Sequence, residues 1–392
     1  MPALRRVAGL AVVTVLTVGP AAACGDDGGT GAPDAAASRL DTVTGALATL
    51  PAAGAEPTAI LWGDLARAAE IAGLERPTDP ADSDAVHAYL QGLTGVRPDA
   101  AARVGGTTVA LVPPQVAQVE PSADLGPFVD DVGWSILQVD RFVEVDPTGG
   151  GVTVLEGTFD DDALTAALGD AADGRWVAGS AEPGGVAPDD RSPARPIGES
   201  LWLAGGGTHL SVSRSPDAIE AATALRGRDG DGLGADPVLA GLAAALDEQS
   251  AYAALLVRPG INDPAAGILG AGSAGTGDPA EDLAAFCDQL LTEGTTGVAT
   301  GVAHDGGTVI VVALAHESPA AAAANAAALE AMIAGGTSRY AERPWRELVE
   351  LDGIATTADD LVTVARLRPS DPADTNLWYD LVQTRDNLVN SC

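Results

Sequence analysis

The chain has no lysine: all 21 of its basic residues are arginine. That absence excludes the Ser-x-x-Lys machinery of penicillin-binding serine enzymes, a lysine Schiff base and a Walker phosphate loop. Histidine is nearly as scarce. The four present, His87, His209, His304 and His316, show no ligand spacing, and with three cysteines in all a zinc site is not expected. His304 and His316 could approach across a hairpin, but their places at strand ends favour exposure to solvent. Phe and Tyr number four each. The six tryptophans, Trp62, Trp134, Trp176, Trp202, Trp345 and Trp378, therefore supply most of the large aromatic volume and are expected in the core.

Positive charge is also short. Against 21 arginines stand 55 acidic residues, for a formal net charge of −34. Such a surface repels phosphate backbones, so nucleic acid is excluded as a partner. The acidity forms no block of five or more, as expected of a solvated surface and not an acidic tail. At 46% apolar and 19% charged, the body should be globular.

The N-terminus has a definite order. Arg5 and Arg6 precede an uncharged core, Val7 to Val18, which breaks at Gly19-Pro20 and ends in Ala21-Ala22-Ala23-Cys24. A membrane span needs about 20 apolar residues, and this run matches the roughly 7–15 of a secretory core. It resembles the signal peptide of a bacterial lipoprotein, with Ala21 where that pattern usually has leucine. The resemblance implies cleavage before Cys24, a diacylglyceryl group on its thiol, and anchoring at the extracytoplasmic face of the cell membrane. Two acyl chains give stable anchoring where one is marginal. An ordinary signal cut after Ala23 and an uncleaved anchor are the alternatives. The Ala-, Gly-, Val-, Asp- and Pro-rich composition suggests a GC-rich genome, and with the leader an actinobacterial envelope.

Residues 1–23 then read as the signal peptide and 24–56 as a flexible Gly/Ala/Asp-rich tether. Residues 57–230 and 231–392 read as two α+β domains. With Cys24 lipidated, Cys287 and Cys392 remain, an even number in an oxidising compartment, and a disulfide between them is expected. It would close a loop of roughly 105 residues, contributing at most ~4–5 kcal/mol. The alternative is a Cys287 buried in an apolar helix and a frayed terminal thiol.

Along the body, strand signals fall at Thr58–Trp62, Thr107–Val112, Val152–Phe159, Ala251–Val257, Glu347–Leu351 and Leu361–Leu367. Helix signals fall at Leu65–Ala72 behind Asp64, from Ser83 or Asp84 to Leu93, Ala163–Leu168 behind Asp160-Asp161-Asp162, and Pro216–Leu225. Three more lie at Asp282–Thr292, from Ser318 to Ala334, and Thr375–Leu388. Two hairpins are indicated, one through Gly205-Gly206-Gly207 and one through Asp305-Gly306. Strand–helix–strand–strand–helix recurs at about 150–225 and 251–334. The fold expected is α+β, antiparallel sheets with helices on one face, with a degenerate tandem repeat suggested. The stretch from Trp134-Ser135-Ile136-Leu137 to Val152–Asp160 is similar to actinobacterial lipoproteins, a resemblance that carries over no catalytic residue.

Chemical motifs fail on context. Gly270-Ala271-Gly272-Ser273-Ala274-Gly275 matches GxGxxG, but Asp278-Pro279 follows where a helix should begin. Ser273 sits one residue off a GxSxG elbow, with only His304 and His316 downstream as bases. Asp229-Gly230-Asp231-Gly232 with Asp236 hints at calcium, yet Leu233 and Ala240 occupy ligand positions. No catalytic residue, cofactor or metal is therefore expected. The expectation is a lipid-anchored envelope protein, not an enzyme, with a binding or accessory role toward an envelope protein or small molecule. The alternative is the ligand-binding lipoprotein of a transporter.

Overall fold

A computed structural model describes residues 39–52, 59–95, 109–117, 125–145, 151–180, 186–225, 232–258, 295–338, 341–357, 359, 361–371 and 377–378. Among the described residues ten strands make one sheet: β1 (Ala59–Asp64), β2 (Val139–Val145), β3 (Val152–Phe159), β4 (Arg175–Ala178), β5 (Leu201–Ser213), β6 (Ala253–Val257), β7 (Thr295–His304), β8 (Thr308–His316), β9 (Val349–Thr356) and β10 (Val362–Pro369). Their order is β4-β5-β3-β2-β1-β6-β7-β8-β10-β9, and every neighbouring pair is antiparallel. The helices are α1 (Val43–Leu47), α2 (Leu65–Ala72), α3 (Ser83–Thr94), α4 (Gly126–Val132), α5 (Asp161–Leu168), α6 (Pro216–Leu225), α7 (Pro237–Glu248), α8 (Pro319–Gly335) and α9 (Trp345–Leu348).

The fold is α+β: a large antiparallel sheet has one set of helices packed on a first face and a second set on the other. That first face carries α2, α3, α4, α5, α8 and α9, whose apolar residues join Leu61, Phe142 and Leu155 in one cluster. The second face is also covered, by α1, α6 and α7 over Ile60, Trp62 and Val143. Strand β8 shows why: Ile310, Val312 and Leu314 point to the first face, Val309, Val311 and Ala313 to the second. A strand buried on both sides reads as a continuous apolar run, not an alternating one. Five of the six tryptophans are buried and Trp202 is half-buried. Trp134 meets Phe128 and Phe159 edge-on at 5.4 and 6.4 Å.

Counted outward from the β1–β6 seam, each half has the same order: first, second, third, fifth, fourth strand. Across the seam Leu61 stands opposite Leu255. The helix before each seam strand, α1 or α7, lies on the second face. The helix between third and fourth strands, α5 or α8, lies on the first. A pseudo-two-fold perpendicular to the sheet relates the halves. The strand order recurs in the two halves, but its phase differs from the recurrence at 150–225 and 251–334, because β6 corresponds to β1 and not to β3. The boundary expected between 57–230 and 231–392 falls near this seam, and one sheet runs straight through it.

Four local expectations are corrected. The tether read as 24–56 gives way to folded structure at Arg39. Leu40, Val43, Leu47 and Leu50 are fully buried, and Leu233 N–H donates to the Leu50 carbonyl at 3.0 Å. Gly205–Gly207 makes no hairpin but lies inside β5. That strand pairs with β4 through residues 201–204 and with β3 through 207–213, and the glycines, at φ 117, 130 and 63°, form its bend between partners. Residues 109–112 of the expected strand Thr107–Val112 form a strap across the first face, with no ladder partner among the described residues; residues 107–108 lie outside the described residues. The Cys287–Cys392 disulfide does not form: none of the three cysteines makes one. All three, with Ser273 and the helix expected at Asp282–Thr292, lie outside the described residues.

Candidate functional site

The chemistry-bearing side chains gather where β1, β2, β3 and β5 lie side by side. Register places Asp64, Arg141, Glu156 and His209 directly opposite one another in successive strands. On the second face they form a transverse row. Arg141 Nε donates to Asp64 Oδ2 at 3.0 Å, and Nη1 lies 2.7 Å from Glu156 Oε1 and 3.1 Å from Asp41 Oδ1. Glu156 Oε2 is 3.6 Å from His209 Nε2. The second Asp64 oxygen accepts the Arg67 N–H at 2.8 Å and so caps α2. Burial works against the Arg141 charge, but Asp64, Glu156 and Asp41 outweigh it and hold its pKa above the usual arginine value. The row ties the N-terminal segment, β1 and β3 through one guanidinium.

Three residues further along β2, Glu144 points to the opposite face. It is 2% exposed, between Leu61 of β1 and Thr153 of β3. Its Oε2 accepts the Gln115 N–H at 2.8 Å. Burial pushes its pKa up to about 7, although the Gln115 N–H, nearby Arg214 and the Thr153 side chain each pull it down. A carboxyl on an apolar face cannot be read from sequence. In Phe142-Val143-Glu144-Val145 it looks like the outward residue of an alternating strand, which a sheet covered on both sides does not have.

His316 is a third buried group and corrects the expectation of an exposed strand end: it is 5% exposed beneath α8. Thr363 donates its hydroxyl to the Ala322 carbonyl at 3.1 Å, so toward His316 it can only accept, from Nε2–H at 3.2 Å. That leaves Nδ1 to accept from Asn325 Nδ2 at 3.3 Å. Burial lowers the imidazole pKa, consistent with a neutral ring in a closed network. His87 shares a 2.6 Å contact with Gln91 on α3, and His304 sits at the β7–β8 hairpin opposite Thr308.

His209 Nδ1 lies 2.8 Å from the exposed hydroxyl of its chain neighbour Thr208, and the Thr363 hydroxyl beside His316 is committed to the Ala322 carbonyl. Asp236, the described end of the proposed calcium loop, instead caps α7 through the Val238 and Leu239 N–H groups and pairs with Arg258 at 2.9 Å. Asp160 likewise caps α5. Among the described residues, no group of three or more His, Cys, Asp or Glu is arranged to hold a metal ion. Comparison with known protein families, with curated proteins and with solved structures finds no match for this chain.

Proposed function

We propose that the protein is held at the outer face of the cell membrane by a lipid on Cys24 and that its acidic body is a non-catalytic binding or accessory module. The observation that carries the reading is the leader: Arg5-Arg6, a short apolar core and Ala21-Ala22-Ala23-Cys24. The length of chain after Cys24 supports it. Fourteen residues lie between Cys24 and Arg39, the first residue described. That length reaches at most about 50 Å when extended and about 20 Å as a flexible coil, enough to keep a body of net negative charge clear of headgroups. The partner is a protein or small molecule and not a nucleic acid, given the charge.

The transporter reading expects two doubly wound parallel domains around a ligand cleft. An all-antiparallel sheet spanning both halves supports the accessory role over it. Cell fractionation with labelled palmitate tests the anchor. The native chain is expected in the membrane fraction carrying label, and Cys24→Ala in the soluble fraction without it. Equal partitioning of both would contradict the reading. Thermal shift against a metabolite panel tests the role: a rise of many degrees with one small molecule would favour the transporter alternative.

A further inference from the structure

We propose that Glu144 is a proton-operated latch for the strap Val109–Ala117, which is held on the first face of the sheet while the carboxyl carries its proton and loosens when it ionises. The strap is the odd element of the fold. Val109, Ala110, Leu111 and Ala117 are buried, yet the strap crosses the sheet without joining it. Two hydrogen bonds tie it down among the described residues, one toward each end, and both go to side chains. Ala110 N–H donates to the Tyr252 hydroxyl at 3.3 Å, and Gln115 N–H donates to Glu144 Oε2 at 2.8 Å. Pro113 and Pro114 between them have no N–H to offer. Below the strap, Gly63 leaves the space into which the Phe142 ring and Leu111 fit, since a Cβ there would clash with the ring and crowd Leu111.

The two fastenings differ in chemistry. Tyr252 is a neutral phenol whose ionisation burial pushes further from the physiological range. Glu144 ionises within it. The groups facing Glu144 are Thr153 on β3, the Gln115 N–H of the strap and Arg214 beyond β5, and Arg214 is itself paired with Glu199. One backbone N–H and one hydroxyl do not offset the loss of water around a carboxylate at 2% exposure. The closed strap therefore favours the protonated carboxyl, whose second oxygen can donate to Thr153. Opening rehydrates the group and lets it ionise. This inference stands independently of the lipid anchor.

Amide hydrogen exchange on the intact chain tests it, with rates corrected for intrinsic pH dependence. Moving the carboxyl from an open-state value of 4.5 to about 7 when closed predicts a strap opening constant that climbs on the order of 100-fold between pH 4 and 8. The climb should level off above pH 7. Glu144→Gln, which keeps an acceptor for Gln115, should hold the strap at its low-pH protection throughout. A strap whose protection is the same in both proteins across this range would overturn the proposal. So would strap amides that exchange only with those of α7, since the strap would then have no release of its own. If Glu144→Gln does not fold, the carboxyl carbon of Glu144 can be titrated in the native chain. A midpoint near 7 is expected, and one near 4.5 would overturn the latch.

Discussion

At the residue scale, two buried ionisable groups, Glu144 and His316, divide the pH response. The folded-state pKa of Glu144 lies above its unfolded value of 4.5, at about 7. The unfolded chain therefore binds fewer protons between those limits, and stability falls as pH rises through the window. A shift of this size corresponds to about 3 kcal/mol. Denaturant titrations should show Glu144→Gln close to the native chain at pH 4 and more stable by roughly that amount at pH 8. His316 acts in the opposite sense. Its folded pKa is lowered, so its contribution is present at neutral pH and lost as pH falls below 6.5. Arg141 has no titration in this range, but its partners rank by burial. Glu156, with an 11% exposed side chain, should lose more stability on conversion to alanine than the 46% exposed Asp41, because an exposed ion pair contributes little. None of these roles was legible in the sequence. The residues of the row lie up to 145 positions apart, and only strand register brings Asp64, Arg141, Glu156 and His209 into line.

At the element scale, legibility followed the strength of local signals. Asp64 before α2 with Gly73 after it, Ser318 before α8 and Asp305-Gly306 between β7 and β8 are explicit start and stop chemistry, and each stands where expected. Four helices, α1, α4, α7 and α9, carry no expectation from the sequence; of these α1 and α7 are equivalents in the two halves, and the lack of both shifts the phase of the repeat. Helix α1 is five residues inside a Gly/Ala-rich stretch. Helix α7 is almost wholly apolar, so it shows little of the polar stripe that marks a surface helix; Asp236-Pro237 was its one clear signal. The two helices meet across the seam, where Asp247 of α7 accepts from Val43 N–H at 2.8 Å, Thr44 N–H at 3.1 Å and the Thr44 hydroxyl at 2.6 Å. It caps α1 from a distance of about 200 residues. Asp247→Ala should therefore lower stability by about 1–2 kcal/mol and raise protease sensitivity at residues 39–50. Unchanged cleavage there would mean that apolar packing alone holds α1.

At the scale of the whole molecule, the sheet makes the halves interdependent. Separating them after residue 231 would expose the backbone of β1 and β6 and the apolar surfaces of α1 and α7. Each half made alone should self-associate or fail to fold, and a folded, monomeric half in sedimentation would contradict the single-sheet architecture. The broad class was legible because apolar runs of strand length recur between capped helices, whereas the closure of both halves into one sheet depends on long-range pairing that composition does not encode. The proposed placement of the body outside the cell rests on Cys24. Mass spectrometry of the N-terminal peptide from membrane-extracted protein tests that most directly. A mature chain beginning at Cys24 with a diacylglyceryl group on its thiol is the expected result. A chain beginning at Met1, or an unmodified Cys24, would contradict it.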